Sequence, residues 1–366
     1  MFGVLGSAKW QGLLFCLFLL PAVALAQFTY VTNNGAITIT SYTGPGGAVS
    51  IPATIDGLPV VEIGAYAFDT RGSLTSVTIP DSVTSIGTYA FQHCSSLTSV
   101  AMGNGVKSIG FGAFFECRGL TSVTLPNALN DFQTYAFRGC SSLASLTIPT
   151  NVTSIANSAF FDTGLTNVHL PKSVTTIGSS AFHPCPELQT ITVDAQNPNF
   201  KSVDGALLNK GGTLLLQCPG GKTGSYAVPD SVTTIGASAV SYCGELTSIT
   251  LGTNVTTIAD QAFFTCPKLT SMILTERLAS LGSSVFAYCS GLTNVTLGKG
   301  LVIIGNRAFA SCTKLTSFAV DPLNPAFAAS DGVLFTKSLT TLVCYPGGKA
   351  GAYSIPDGVT NILGNA

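Results

Sequence analysis

Apolar positions in this chain recur on a frame of 23 residues, seen by aligning LTSVTIPDSVTSIGTYAFQHCSS from Leu74, LTSVAMGNGVKSIGFGAFFECRG from Leu97 and LTSVTLPNALNDFQTYAFRGCSS from Leu120. The same frame returns from Leu246, Leu269, Leu292 and Leu315, and the shared template is L-x-x-V-x-I-P-x-x-V-x-x-I-G-x-x-A-F-x-x-C-x-x. Val77 and Ile79 alternate with Ser76 and Thr78, the period of two that sends one set inward and the other to solvent. Pro80 then ends the strand, since it cannot donate to a continuing ladder. Val83 and Ile86 supply a second inward pair, Gly87 permits a turn, and the Ala90-Phe91-Cys94 spacing predicts one helical or 3₁₀ turn. One repeat cannot bury such a face by itself, so the pattern predicts a β-rich solenoid of stacked coils with short helical turns. Its core would hold a phenylalanine ladder (Phe68, Phe91, Phe114, Phe137, Phe160, Phe182, Phe263, Phe286, Phe309) and a cysteine ladder (Cys94, Cys117, Cys140, Cys185, Cys243, Cys266, Cys289, Cys312).

Departures from the frame mark the organisation. Repeats are expected over 60–193 and 230–320, separated and followed by two inserts, 194–229 and 321–356. The inserts match at an offset of 127: Asn197-Pro198 with Asn324-Pro325, Asp204-Gly205 with Asp331-Gly332, Gly220-Gly221-Lys222 with Gly347-Gly348-Lys349. In the first, Ala206–Leu208 and Leu214–Leu216 flank Asn209-Lys210-Gly211-Gly212, which predicts a β-hairpin broadening or leaving one coil. The repeat Thr150–Pro171 is one residue short, with Thr163 in the cysteine slot, and predicts a local kink. Val240 fills the aromatic slot with a smaller plug and predicts looser packing there. Residues 27–59, with Ala36-Ile37-Thr38-Ile39-Thr40, read as an N-terminal β cap. Residues 357–366 begin another repeat and stop before its Ala-Phe, so the reading frame is truncated or the last coil is open at its edge to self-association.

Ahead of the repeats, residues 1–26 carry Lys9, an apolar run from Leu13 to Leu20, Pro21 and Ala24-Leu25-Ala26, the pattern of a secretory signal peptide. The run is too short to span a bilayer, Cys16 sits behind bulky Phe15 rather than in a lipidation site, and no later stretch is comparably apolar, so no membrane span is expected after signal removal. The only tryptophan, Trp10, leaves with the signal, so any interface must rely on Tyr, Phe or many weak polar contacts. Charged residues make up 9% of the chain and the formal net charge is −1, with no Lys/Arg cluster, which argues against a nucleic-acid partner.

The 23-residue template with its A-F-x-x-C and I-P-x-x-V-x-x-I-G segments, covering Val60 to the C-terminus, resembles the BspA-like leucine-rich repeat family of bacterial surface antigens. The NP…DG…GGK inserts and the stretch from Gly46 to Gly64 are similar to segments of that family. The resemblance implies a right-handed solenoid, secreted or held at the cell surface, with a role in adhesion to host matrix proteins or co-aggregation. The chain departs from it in showing no visible surface anchor and no complete C-terminal cap.

Candidate chemistry is sparse. The eight laddered cysteines show no C-x-x-C or Cys/His spacing for zinc, which predicts buried thiols; Cys218 and Cys344 lie outside the ladder and are the better disulfide candidates. His93, His169 and His183 fall in different slots without a repeated acid or cysteine partner, and the carboxylates are scattered in turns such as Asp81, Asp230 and Asp357, so no catalytic set, cofactor or metal is expected. Asp194 with Asn197, and Asp321 with Asn324, offer one carboxylate each, which suits Asx-turns better than calcium. The GGK segments lack the first Gly and the Ser/Thr of a phosphate loop.

What remains is an uncharged outward face: Ser76, Thr78, Ser122, Thr124, Ser145, Thr147, Asn167, His169, Thr190, Thr192, Ser248, Thr250, Asn294 and Thr296. A second row comprises Thr84-Ser85, Thr153-Ser154, Thr175-Thr176, Thr233-Thr234 and Thr256-Thr257. β-branched Thr suits a solvated strand in any case. Beyond that, the first face reads as a protein-binding surface, with carbohydrate-binding and ice-like surfaces as alternatives; Tyr66, Tyr89, Tyr135, Tyr242 and Tyr288 lie near the turns, away from these strands. The expected function is a non-enzymatic binding or adhesion module for an extracellular protein or glycan, with a self-associating structural scaffold as the alternative.

Overall fold

The structure is a computed structural model that describes residues 27–364, so the expected signal peptide lies outside the described residues. The described chain is a β-solenoid of about 14 coils. Each coil contributes to three stacked ladders. A longer strand such as Leu74–Ile79 pairs in parallel with its equivalent 23 residues on, Val77 opposite Val100. After the proline turn, a two-residue strand such as Ser85–Ile86 pairs in parallel with Ser108–Ile109. The inward residues of both strands (Val77, Ile79, Val83, Ile86) are buried, as alternation requires.

The third side corrects the expectation of helical turns: no helix occurs among the described residues. Along Gly87–Cys94, alternate amides bond back three residues (Ala90 N to Gly87 O, Gln92 N to Tyr89 O, Cys94 N to Phe91 O). The intervening amides donate to the next coil, Tyr89 N to Phe111 O, Phe91 N to Ala113 O and His93 N to Phe115 O, each at 2.8 Å. Tyr89 and His93 reach this geometry only at φ of 53° and 56°. Left-handed φ is costly for side chains with a Cβ, and here a hydrogen bond to the neighbouring coil offsets it at every turn.

Inside, the phenylalanine rings stack coil on coil, with Phe91–Phe114 centroids 5.2 Å apart and 1° between planes, and the series runs from Phe68 to Phe182. It resumes at Phe263, Phe286 and Phe309. Between them Cys218 N donates to Ala239 O and Val240 N to Ala262 O, which places Cys218 and then Val240 in the aromatic slot. Both are fully buried, so the junction is closed by smaller side chains.

Each insert holds a three-stranded antiparallel unit where the spacing predicts a two-stranded hairpin, and the first insert carries a fourth strand, Gly224–Ala227, paired with Leu246–Thr250. Phe200–Val203 turns at Asp204-Gly205 (φ 49° and 75°) into Ala206–Asn209, which returns as Leu214–Gln217. That last strand pairs in parallel with Thr234–Ile235, so the insert re-enters the solenoid as one of its coils. Phe327–Ser330, Val333–Thr336 and Thr341–Cys344 repeat the arrangement at the 127-residue offset. Gly220 and Gly221 sit where a Cβ would meet Cys185 O and Pro186 O, both at 2.6 Å, and Lys222 reaches back to Asp204 Oδ2 at 2.9 Å. The GGK motif is thus a close backbone crossing followed by a clamp on the Asp-Gly turn.

Candidate functional site

Every described cysteine is a free thiol. In the ladder each thiol donates to the carbonyl of the preceding coil's aromatic slot: Cys94 to Phe68 O at 3.1 Å, Cys117 to Phe91 O at 2.9 Å, Cys266 to Val240 O and Cys289 to Phe263 O at 3.1 Å. Thr163, in the cysteine slot, donates to Phe160 O at 3.0 Å. Burial pushes the Cys140 and Cys312 thiols well above the ordinary range and Cys185 up to about 11, so these groups stay protonated and serve as donors, not nucleophiles.

The histidines stand apart. His93 packs edge-on to Phe115, His169 Nδ1 pairs with Thr192 Oγ1 at 3.0 Å, and His183 is buried with neither ring nitrogen bonded, which holds it down at about 4. No group of three or more His, Cys, Asp or Glu placed to hold a metal ion occurs among the described residues. Asp81 and Asp230 accept amides from the next coil, Asn104 N and Thr253 N, at 2.7 and 2.8 Å.

Asn197 and Asn324 are fully buried and fully bonded. Asn197 Nδ2 donates to Pro171 O and Val174 O, and its Oδ1 accepts Asn199 N and Phe200 N, all within 2.9–3.0 Å. Asn324 makes the equivalent four bonds to Gly298 O, Leu301 O, Ala326 N and Phe327 N. Asp194 and Asp321 cap the amides two residues on, so these side chains close turns and pin the inserts to the preceding coil.

The two hydroxyl rows differ. In the second row Thr84 Oγ1 donates to Val61 O, Thr153 to Asn130 O, Thr175 to Thr153 O, Thr233 to Thr213 O and Thr256 to Thr233 O. A parallel set that sequence reading missed follows the template leucine: Thr98, Thr121, Thr270, Thr293 and Thr316 each bond the carbonyl 23 residues earlier, completing the coil-to-coil seam. On the first face, Thr78, Ser122, Thr124, Ser145, Thr147, Ser248, Thr250 and Thr296 are exposed, and Ser76 and Thr190 half-buried, with no side-chain bond recorded among the described residues. Thr192 bonds Val168 O and His169, and Asn167 bonds Thr166; Asn294 is exposed.

A second surface was also missed. On the turn side Tyr66, Tyr89, Phe111, Phe115 and Tyr135 form a chain of ring contacts 5.2–6.4 Å apart, and the Arg138 guanidinium, 5.0 Å from the Tyr135 centroid and 4.4 Å from that of Phe161, links Phe161 to it. Phe111, Phe115 and Phe161 lie off the core ladder, and that extra phenylalanine was the available signal.

Among solved structures, the chain is similar to a leucine rich cell surface protein from Faecalibacterium prausnitzii at 29% identity, covering 92% of each chain with a TM-score of 0.66. It is also similar to a leucine-rich repeat protein from Eubacterium ventriosum at 26% identity, covering 90% of this chain and 89% of that one, with a TM-score of 0.63. The pneumococcal vaccine antigen PcpA, at 20% identity over 92% of each chain and a TM-score of 0.62, shares the fold. No curated protein matches. The family model for the BspA type leucine rich repeat region matches residues 61–189 and 221–327 in six copies. With its free thiols, seam threonines and stacked rings all spent on holding coil to coil, the chain belongs to the BspA-type leucine-rich repeat family.

Proposed function

We propose that this chain is an exported, non-enzymatic binding protein that acts at the cell surface or outside the cell, attaching to extracellular proteins through its long-strand face. One observation carries the reading: the hydroxyls of Thr84, Thr98, Thr121 and their equivalents are used between coils, whereas those of Thr78, Thr124, Thr250 and Thr296 are left to solvent on a face built from regular strands. A rigid array of unspent donors and acceptors loses little entropy on binding, which suits an extended protein partner. The low charge of that face favours contacts that survive salt. The similar cell surface protein from Faecalibacterium supports the location, and the buried, protonated thiols and separated histidines support a non-enzymatic role.

The test is binding of the chain from residue 27 onward to immobilised extracellular matrix proteins and cell-surface glycans at low and high salt. Saturable, salt-resistant protein binding that Thr78→Lys and Thr250→Lys weaken, with Thr-to-Lys changes at exposed positions off the long-strand face neutral, is the expected result. Absence of saturable binding, or binding indifferent to both variants, overturns the reading.

A further inference from the structure

The long-strand ladder opens in one place. Ser122–Thr124 is paired on one side only, with Ser99–Ala101. Asn167–Leu170 is likewise paired on one side only, with Thr190–Val193. Between these two edges Ser145, Leu146 and Thr147 form no strand and make no backbone hydrogen bond among the described residues. The seam shows where the pairing stops: Thr98 N bonds Thr75 O, Thr121 N bonds Thr98 O and Thr166 N bonds Ala144 O, but the bond from Ala144 to Thr121 is missing. Ala144 also lacks the leucine-following threonine and its hydroxyl; Gln189, which lacks it too, keeps its amide bond to Thr166 O at 2.8 Å. The coil that follows is the 22-residue one, shortened at Thr163-Gly164-Leu165, where a Cβ on Gly164 would meet Ser141 O at 2.3 Å.

The result is a cleft of about 420 Å³ lined by Ser122–Leu125, Ser145–Thr147 and Asn167. Val123, Leu125 and Leu146 are partly exposed in it, while the equivalent Val77, Val100 and Val168 of well-paired coils are buried. The ladder is also interrupted between Leu246–Thr250 and Ser271–Leu274, but there Thr270 keeps its bond to Thr247 O, and Ile249, Leu251 and Met272 remain buried. A further interruption, between Thr190–Val193 and Gly224–Ala227, is covered by the insert, with Ile191 N bonded to Gly205 O and Ser202 Oγ to Ile191 O. Of these three breaks the first combines unpaired main chain with accessible apolar side chains. No charged residue lines it.

We infer that this cleft captures an extended, uncharged segment of a partner protein as an added strand, its main chain pairing with the open edges and its alternate side chains seated on Val123, Leu125 and Leu146. Unpaired strand edges are templates for another extended backbone. A glycan lacks the main chain that would pair with these edges, and a charged peptide would pair but bury its charges against an uncharged, partly apolar floor. The inference rests on the protein-binding reading above and gives that face a location and a ligand chemistry.

A synthetic peptide with the sequence of residues 74–80, the chain's own well-paired strand, is the probe, and amide hydrogen exchange is the readout. In the free protein the amides of Ser145, Leu146 and Thr147 are expected to exchange at least about a hundredfold faster than those of Val100 and Val168. Millimolar peptide is expected to slow them about tenfold, an effect lost with a peptide N-methylated at alternate residues and with Ser145→Pro, which removes an amide that the fold does not use. Fast exchange absent in the free protein, no protection by the peptide, or equal protection by the N-methylated peptide each overturns the inference. If matrix binding fails while the peptide protects these amides, adhesion falls and the cleft stands. If matrix binding persists without protection, the cleft falls alone.

Discussion

The regular coils from Val61 to Phe182 and the junction from His183 to Val240 hold the same backbone path by different means. In the regular coils a repeated apolar plug does it: each aromatic ring lies on the next, and each thiol caps the carbonyl behind it. At the junction the rings give way to Cys218 and Val240, and specific polar bonds take over. Gln217 Nε2 donates to Phe182 O at 3.0 Å, Asn197 spans four main-chain groups, and His183 is buried without a partner. Regular coils are therefore interchangeable units whose stability adds along the stack, whereas the junction depends on individual side chains and on pH.

Truncating a plug in the regular stretch should cost most. Phe114→Ala is expected to lose about 3–5 kcal/mol of unfolding free energy in denaturant titration, since the ring is fully buried and contacts Phe91 and Phe137. Val240→Ala removes two methyl groups and should cost roughly 2 kcal/mol. If the two cost the same, the stacked ring holds its coil no better than two methyl groups do and the contrast collapses.

Asn197→Ala should cost roughly 3 kcal/mol, because two carbonyls and two amides lose their partner in the interior. Asn324→Ala tests the same staple at the second insert. Aspartate does not rescue either site, since it cannot donate to the carbonyls.

The junction should also be acid-sensitive. Burial holds His183 at about 4 in the folded chain against an ordinary 6.5. Between those values the unfolded chain binds more protons, so stability falls as pH drops through that window and levels off below it. The loss attributable to His183 is about 3 kcal/mol. His183→Leu should flatten this part of the stability profile; an unchanged slope would place the acid sensitivity elsewhere.

Much of this was legible in the chain. Phe91, Phe114, Cys94 and Cys117 recur at 23 and sit in the core where the period puts them. The turn was misread because Ala90, Phe91 and Cys94 have helical spacing, while the left-handed slot of Tyr89 is filled by types such as Tyr, Ser and Gln that do not announce such a conformation. The two hydroxyl rows looked alike for a different reason: Thr84 and Thr78 are chemically identical, and which one is spent depends on the register between coils. The same register dependence hid the cleft, whose traces in the sequence are alanine at 144 in place of threonine and the one-residue-short repeat Thr150–Pro171 beside it.

The smallest expected effect separates structure from function most cleanly. Thr121 and Thr124 are three residues apart on one coil, both exposed, yet Thr121 Oγ1 bonds Thr98 O at 3.0 Å and Thr124 Oγ1 bonds nothing recorded among the described residues. Thr121→Val should therefore lower stability by about 1 kcal/mol, the net value of one hydrogen bond, and leave partner binding unchanged. Thr124→Val keeps the β-branched shape, and should leave stability within about 0.5 kcal/mol while weakening binding. Unfolding and binding measured on both variants give opposite patterns if one row holds the coils together and the other meets a partner. If Thr124→Val binds as the parent does, the hydroxyls of the open face are solvation only, and attachment must be sought in the main chain and apolar floor of the cleft that Thr124 lines, or on the aromatic stripe around Arg138.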